Sequence, residues 1–168
     1  MSKERTRQYY WRSKDYVPTV YKEIDLAYFA GIIDGEGCFC MYKCPQGYIR
    51  GCLKIDNTDK KLIDWIEDTF TGYSSSLTRA TSSKKYTRDI FSWVSTGDHL
   101  LDISEQVLPY LVIKKAHCEN MIKFRQSCST RTGNKPIAEN ILAIRQACLE
   151  ASRKLNSRYH LHPLKGNL

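Results

Sequence analysis

Apolar and polar positions along this chain follow two repeats, the 3.6-residue repeat of helices and the two-residue alternation of strands. The helical repeat covers residues 25–36 and 59–70, and between them residues 38–44 and 48–56 alternate as a β-hairpin around a turn at 45–47. A second hairpin and three helices are predicted at residues 73–81, 86–95, 98–107, 116–127 and 136–154. The order α-ββ-α-ββ-α, continued by further helix, predicts an α+β fold.

The first hairpin has one apolar and one polar face, as expected of a sheet that covers a core on one side only. Phe39, Met41, Leu53 and Ile55 point to the apolar side. The polar side carries Tyr42, Tyr48, Arg50 and Lys54. The second hairpin does not alternate cleanly over residues 90–94, so its facing stays open.

The first helix carries small residues at every fourth position, Ala27, Gly31 and Gly35, which therefore form one stripe. Asp25 is predicted to cap the N-terminus of this helix. Each glycine costs about 1 kcal/mol of helix propensity relative to alanine, so a compensating contact is expected. The simplest contact is a second helix that approaches closely along the stripe, either elsewhere in the chain or in a second copy of it.

Length and composition indicate a globular protein: 168 residues suit one domain, and 42% apolar residues argue against wholesale disorder. We expect no membrane span, because no apolar run reaches ~20 residues, and no secretory signal. The net charge is +8, with six basic and two acidic residues in 1–22 but four acidic and no basic residues in 23–41. This distribution is typical of an enzyme that acts on phosphodiesters, although solubility alone also explains a positive charge.

Seven cysteines are present without any C-x-x-C pair, which argues against a structural zinc site. We therefore expect reduced thiols in an intracellular, reducing compartment. An organelle (chloroplast or mitochondrion) and a prokaryotic cytoplasm both fit that expectation.

The segment Asp34-Gly35-Glu36-Gly37 places two carboxylates at a helix C-terminus, where the helix dipole disfavours anions by about 0.3–1 kcal/mol each. A bound cation would relieve this penalty, and oxygen ligands favour Mg²⁺ or Ca²⁺ over zinc. The alternative is that Asp34 binds nearby backbone and that Glu36 is solvated.

Residues 29–37 (FAGIIDGEG), preceded by Leu26 and Tyr28, resemble the LAGLIDADG motif of homing endonucleases, with Phe in place of the first Leu and Glu in place of the second acid. The resemblance extends in element order over residues 23–127. It implies an αββαββα core with a twisted antiparallel saddle sheet and extra C-terminal helices. It also implies the single-motif, homodimeric branch, with a dimer interface at Ala27, Gly31, Asp34 and Gly35.

The same resemblance implies roles for individual residues. Glu36 would bind Mg²⁺, for which Ca²⁺ or Mn²⁺ could substitute, together with the Gly35 carbonyl, and Asp34 would cap the partner helix. Asn57, at the end of the second strand, would orient water. Lys114 follows a Pro-aromatic-Leu step and would stabilise charge on the phosphate. Lys115 is its near alternative.

The family implies that the polar sheet face binds double-stranded DNA in the major groove, where base edges carry a full donor and acceptor code. The candidate contacts are Tyr42, Gln46, Tyr48, Arg50, Lys54, Arg79, Lys84, Lys85 and Arg88. A homodimer implies a long, pseudo-palindromic target. The predicted division is a basic N-terminal extension at 1–22, one endonuclease domain at 23–155 and a tail at 156–168. The extension would embrace flanking DNA or simply pack on the domain.

The function implied by the resemblance is metal-dependent double-strand cleavage of DNA that promotes mobility of a host intron. Two alternatives keep the same fold. One is a maturase that binds intron RNA and assists splicing, and the other is a DNA-binding regulator that does not cleave. The presence of Glu36 and Lys114 argues against the regulator, whereas the sequence does not separate endonuclease from maturase.

Overall fold

The computed structural model describes residues 18–70, 72–80, 87–128 and 137–157. The helices are α1 (Glu23–Glu36), α2 (Lys60–Thr69), α3 (Gly97–Val107), a 3₁₀ turn (Leu108–Tyr110), α4 (Lys115–Cys128) and α5 (Glu139–Ser157). The strands are β1 (Gly37–Lys43), β2 (Ile49–Asn57), β3 (Tyr73–Ala80) and β4 (Thr87–Thr96). The predicted element order and the α+β class are therefore confirmed.

The four strands form one antiparallel sheet in the order β1-β2-β4-β3. Its inner face packs against the helices, and the predicted facing of the first hairpin is confirmed, because Phe39, Leu53 and Ile55 are buried. Tyr42 and Arg50 are exposed on the outer face. The first hairpin thus divides its side chains between the core and the open surface of the sheet.

The facing of the second hairpin is decided by Trp93, which is fully buried. Trp93 lies opposite Ile55 in the β2–β4 register, and its indole meets the Phe29 ring edge-on at 5.5 Å between centroids. Gly72 fits against this indole because a Cβ at that position would overlap it. The odd-numbered positions of β4 therefore face the core near this point.

Helix α1 begins at Glu23 rather than at Asp25, so the predicted N-cap is wrong. Lys22 occupies the cap position without a side-chain hydrogen bond, and Asp25 lies in the first turn. The preceding chain is held from α3 instead, because Gln106 accepts from the Tyr21 N–H at 3.2 Å and donates to the Thr19 carbonyl at 2.8 Å. A tertiary contact thus replaces the local cap.

Asn57 and Asp59 form the turn between β2 and α2. Asn57 Oδ1 accepts from the Asp59 N–H at 2.8 Å, and the Asp59 carboxylate in turn accepts from the Lys61 N–H at 2.8 Å. These are an Asx turn followed by a helix N-cap. They fix the direction in which α2 leaves the end of β2.

Across the described ranges, no helix combines the length and apolar character needed to cross a membrane. All seven cysteines are free thiols, and Cys44, Cys118 and Cys148 are buried.

Candidate active site at the end of helix α1

Asp34 is bound by the chain's own backbone. Its carboxylate accepts hydrogen bonds from the N–H groups of Val112 (2.8 Å), Ile113 (3.2 Å) and Lys114 (2.9 Å), directly before α4. Burial alone would raise the pKa of Asp34, but these donors, helped by the Lys114 charge, outweigh burial and lower the pKa. The resemblance implied that Asp34 caps a partner's helix. The structure shows both carboxylate oxygens bound to the chain's own backbone before α4, and the role toward a partner helix stays a prediction.

Lys114 ties the end of α1 to the start of β1. Its ammonium donates to the carbonyl oxygens of Ile33 at 2.8 Å and Gly37 at 2.6 Å. A cation at this place offsets the negative end of the α1 dipole. Burial lowers the pKa of Lys114, and the nearby charges of Asp34 and Glu36 oppose that effect. Because an ammonium has three protons, one remains for a third acceptor.

Glu36 differs from Asp34 in that its side chain is exposed, and its charge acts on Lys114. Gly35 beside it is exposed too, and nothing lies within 4 Å of a Cβ built there. The structure therefore brings Glu36, Gly35 and Lys114 together, as the sequence predicted. Lys115, the alternative to Lys114, is exposed at the first position of α4.

A cavity of about 390 Å³ opens at this helix end and is lined by Lys114, Gly37, Cys38 and His117, among others. The sequence analysis missed His117. Its Nδ1 is buried without a hydrogen-bond partner, and burial followed by the Lys114 charge lowers its pKa, so the neutral form is favoured. The available signal was its position three residues after Lys114, which places both on one face of the first turn of α4.

Asn57 lies at the end of β2 as predicted, but its amide oxygen is engaged in the Asx turn. The neighbouring Asp56 projects to the outer face instead, where it accepts from Lys54 Nζ at 2.7 Å and from the Ser92 hydroxyl. Asp56 also acts electrostatically on Cys38, at the start of β1. The acidic group that reaches the outer face here is therefore Asp56.

The outer face of the first hairpin presents polar and aromatic side chains. Tyr42, Gln46, Tyr48 and Arg50 are exposed, and Lys54 is half-exposed. Arg50 donates to the Tyr48 hydroxyl at 2.8 Å, and its guanidinium carbon lies 5.1 Å from the Tyr48 ring centroid. The side chains of the other predicted contacts, Arg79, Lys84, Lys85 and Arg88, lie outside the described residues, as do residues 1–17 and 158–168.

The small-residue stripe of α1 faces outward. Ala27, Gly31 and Gly35 are exposed, and within the described ranges nothing lies within 4 Å of a Cβ at Gly31 or Gly35. The apolar side chains that border the stripe are also exposed, to 76% for Ile24, 58% for Tyr28, 84% for Val112 and 63% for Ile113. No described helix of this chain covers the stripe. We call this surface, formed by the stripe and its four apolar neighbours, the α1 face.

Solved structures of homing endonucleases are similar to the chain. I-CvuI in complex with the I-CreI target in the presence of Mg aligns with a TM-score of 0.56 and 15% identity over 86% of this chain and 87% of the other. I-CvuI with its own target in the presence of Ca gives 0.55 and 15% over the same shares. The LAGLIDADG meganuclease I-AabMI, bound to uncleaved DNA, gives 0.41 and 18% over 72% of this chain and 48% of the other.

No family model and no curated protein sequence matches the chain. At 15% identity the I-CvuI similarity bears on the fold, and it covers nearly the whole of both chains. The chain therefore has the fold of the LAGLIDADG homing endonucleases.

Proposed function

We propose that this protein is a site-specific, divalent-metal-dependent DNA endonuclease of the LAGLIDADG type that acts as a homodimer. One observation carries the proposal: the exposed α1 face leads directly to an exposed carboxylate, Glu36, beside the anchored ammonium of Lys114. A carboxylate and an ammonium held at the edge of an open, polar sheet suit the hydrolysis of a long polyanion such as DNA.

The occupant proposed for the α1 face is a second copy of this chain. Gly31 and Gly35 allow two helix backbones to approach closely, and a helix packed there would cover Ile24 and Ile113, which water now contacts. The same surface patch on both copies gives a twofold, isologous contact. Such an axis would bring the two Glu36 side chains near each other, one for each DNA strand.

The residues present suit a hard divalent cation such as Mg²⁺. The Glu36 carboxylate and the Gly35 carbonyl are oxygen ligands, and Mg²⁺ is commonly bound through one or two carboxylates together with phosphate oxygens and water. Among the described residues, no three histidine, cysteine or acidic side chains are grouped to hold a metal, so phosphate, water and the second copy would complete the set. When bound, the ion supplies polarisation of a phosphate oxygen and a more acidic water.

The chain's own residues then have separate tasks. Glu36 supplies negative charge where the fold has left it exposed, and Asp34 keeps the backbone of Val112–Lys114 in place. Lys114, with one ammonium proton free, donates to an oxygen of the reacting phosphate and stabilises the charge that grows there. Asn57 remains a prediction as the residue that orients water, and we add Asp56 as a second candidate for that task.

DNA would lie on the outer face of the sheet. The Tyr48–Arg50 pair and Tyr42 are exposed there and offer hydrogen-bond donors and flat apolar surfaces to base edges. The predicted contacts on the second hairpin would extend this face. A homodimer would read a pseudo-palindromic site, and double-strand cleavage at such a site would promote mobility of a host intron.

The test is incubation of the full chain with a library of randomised duplex DNA in Mg²⁺, followed by sequencing of the new ends, with EDTA as the matched control. We expect double-strand breaks at one family of related, pseudo-palindromic sequences, and none in EDTA. Selective binding of structured RNA without DNA breaks would replace the endonuclease with the maturase alternative. Selective DNA binding without breaks in Mg²⁺ or Mn²⁺ would replace it with the regulator.

A further inference from the structure

Three thiols meet on the outer face of the sheet, close to the candidate active site. Cys38 and Cys40 lie two residues apart in β1, and Cys52 lies directly opposite Cys40 in β2. Cys40 Sγ lies 3.2 Å from Cys38 Sγ, and Cys40 is also hydrogen-bonded to Cys52. Cys40 therefore contacts both of the other thiols.

The electrostatic surroundings distinguish the three thiols. The hydrogen bond from Cys40 lowers the pKa of Cys52, and the Lys54 charge acts in the same direction against burial. The hydrogen bond with Cys40 raises the pKa of Cys38, an effect that burial and Asp56 reinforce and Lys114 opposes. For Cys40, the contact with Cys38 acts downward, but the contact with Cys52 and burial outweigh it and raise the pKa to about 11. Cys52 is thus the thiol that ionises most readily, and the thiolate is the form that reacts.

Backbone geometry selects the pair that can be joined. Residues directly opposite in an antiparallel ladder have Cα atoms about 4.5–5.5 Å apart, which lies within the ~4.4–6.8 Å range of disulfides. Residues two apart in one strand are separated by about 6.8 Å, at the edge of that range. The Cys40–Cys52 pair therefore lies well inside the disulfide range, whereas the Cys38–Cys40 pair lies at its upper limit.

The geometry points to Cys40 and Cys52 as a reversible dithiol site on the sheet face, oxidised by low-molecular-weight disulfides such as oxidised glutathione. The Cys52 thiolate attacks one sulfur of the disulfide, whose S–S bond breaks and releases one glutathione thiolate. The Cys40 thiol then loses its proton and attacks Cys52 Sγ, which releases the second glutathione. The two protein thiols are oxidised by two electrons, and one oxidised glutathione becomes two reduced molecules.

The site also bears on DNA binding, and this step rests on the proposed function. Cys40 and Cys52 lie between Tyr42 and Lys54 on the face proposed to meet the duplex. Bound DNA would therefore shield them from a charged tripeptide disulfide. Glutathione attached to Cys52 would conversely place an anionic peptide where the phosphate backbone has to lie.

The experiment exposes the full, folded chain to oxidised glutathione, alkylates the remaining thiols and maps the peptides by mass spectrometry. We expect a Cys40–Cys52 disulfide that dithiothreitol reverses. Cys40→Ser should leave glutathione attached to Cys52, whereas Cys38→Ser should still form the disulfide. Cys128→Ser, a half-buried thiol in α4, is the matched control and should change nothing. Full alkylation of Cys40 and Cys52, or a bond that requires Cys38, would overturn the proposal.

A second arm separates this inference from the proposed function. The oxidation rate is measured with and without an excess of mixed-sequence duplex DNA at low salt, in Ca²⁺. Slowing by at least tenfold is expected for both thiols. If the disulfide forms at an unchanged rate while DNA is bound, the dithiol site stands and the assignment of this face to DNA is wrong.

Discussion

The two faces of helix α1 belong to the same 14-residue helix but have different surroundings. On the inner face, Phe29 and Ile33 are fully buried, and Phe29 stacks on Phe70 with 4.1 Å between ring centroids. The outer face consists of small residues open to water. At the end of the helix, the Asp34 carboxylate is half-buried and accepts three backbone hydrogen bonds, whereas the Glu36 side chain, two residues later, is exposed.

We interpret this difference as a division of the two acids between a structural role for Asp34 and the proposed chemical role for Glu36. Asp34 is surrounded by donors that stabilise its charge within the chain, so it has little left to offer a ligand. Glu36 keeps its charge at the surface with no such set of backbone donors. This division predicts that substitution of Glu36 lowers activity and leaves stability nearly unchanged, whereas substitution of Asp34 lowers stability.

The largest effect is expected at Glu36. Glu36→Gln keeps the shape of the side chain but removes the charge that would hold Mg²⁺, and loss of metal assistance is worth several kcal/mol, or about 10³-fold in rate. We expect DNA cleavage to fall by at least that factor. Specific binding, measured by fluorescence anisotropy in Ca²⁺, and the urea midpoint should stay close to those of the wild type. Retained cleavage would remove Glu36 from the proposed metal site.

The next effect is expected at Lys114. Lys114→Met removes the ammonium that we propose contacts the reacting phosphate, and loss of one such donor lowers kcat by about 10²–10³-fold. Lys115→Met, at the exposed neighbouring position, is the matched control and should stay near the wild-type rate. Equal losses in the two variants would mean that the sequence alternative, Lys115, shares the role.

The pH dependence of the cleavage rate tests Lys114 separately, because a purely structural role for this residue would not change that dependence. An ordinary lysine has a pKa near 10.4. Because burial lowers the pKa of Lys114, its ammonium loses the proton at a lower pH than that. Cleavage should therefore decline on the alkaline side below that value. Lys114→Arg keeps its charge to higher pH and can still donate to the Ile33 and Gly37 carbonyls, so its alkaline decline should shift upward.

Much of this arrangement could be predicted from the sequence because it depends on local pattern. The alternation of Phe39, Leu53 and Ile55 with polar neighbours determines which face of the first hairpin is buried. The Asn57–Asp59 turn uses contacts two residues apart, so it too is visible in the chain. The small-residue stripe is visible for the same reason, but it predicted a contact with a second helix and left open whether the chain itself supplies that helix.

The remaining features depend on contacts between distant residues. The backbone donors for Asp34 belong to Val112–Lys114, which follow both hairpins in the sequence, and nothing near residue 34 indicates them. The predicted start of α1 was wrong because Gln106, from α3, binds the backbone of Thr19 and Tyr21 in place of a local cap. His117 and the pairing of Cys40 with Cys52 became visible only once helix packing and strand register were known.

A third test concerns the outer face itself. Gly31→Leu introduces a side chain into open space in the single chain, so the fold should be unaffected, but it would separate two helices packed along the α1 face. Overpacking costs about 1–3 kcal/mol per site, and a twofold dimer contains the substituted site twice. We therefore expect the dissociation constant of the dimer to rise by about 10²-fold or more. Analytical ultracentrifugation measures this shift.

Exposed alanines provide the matched pair for that test. Ala27 lies on the α1 face, whereas Ala147 is exposed on α5. Ala27→Leu should weaken the dimer and Ala147→Leu should not. An unchanged dimer in both Gly31→Leu and Ala27→Leu would show that a different surface joins the two copies.

The smallest effect is expected at Asp34, and it should appear in stability. Asp34→Asn removes the charge and leaves one acceptor oxygen for three backbone N–H groups, which costs about 1–3 kcal/mol of unfolding free energy at pH 7. Because folding lowers the pKa of Asp34, its contribution is fully present above about pH 4 and is lost as the pH falls through the folded-state pKa. Urea unfolding at pH 7 and at pH 3 should therefore show the two proteins converging in acid. Asp64→Asn, which breaks only an exposed pair with Lys60, should change stability by at most about 0.5 kcal/mol. If Asp34→Asn were as stable as the wild type at pH 7, the proposed division between a structural acid, Asp34, and a functional acid, Glu36, would fail at Asp34.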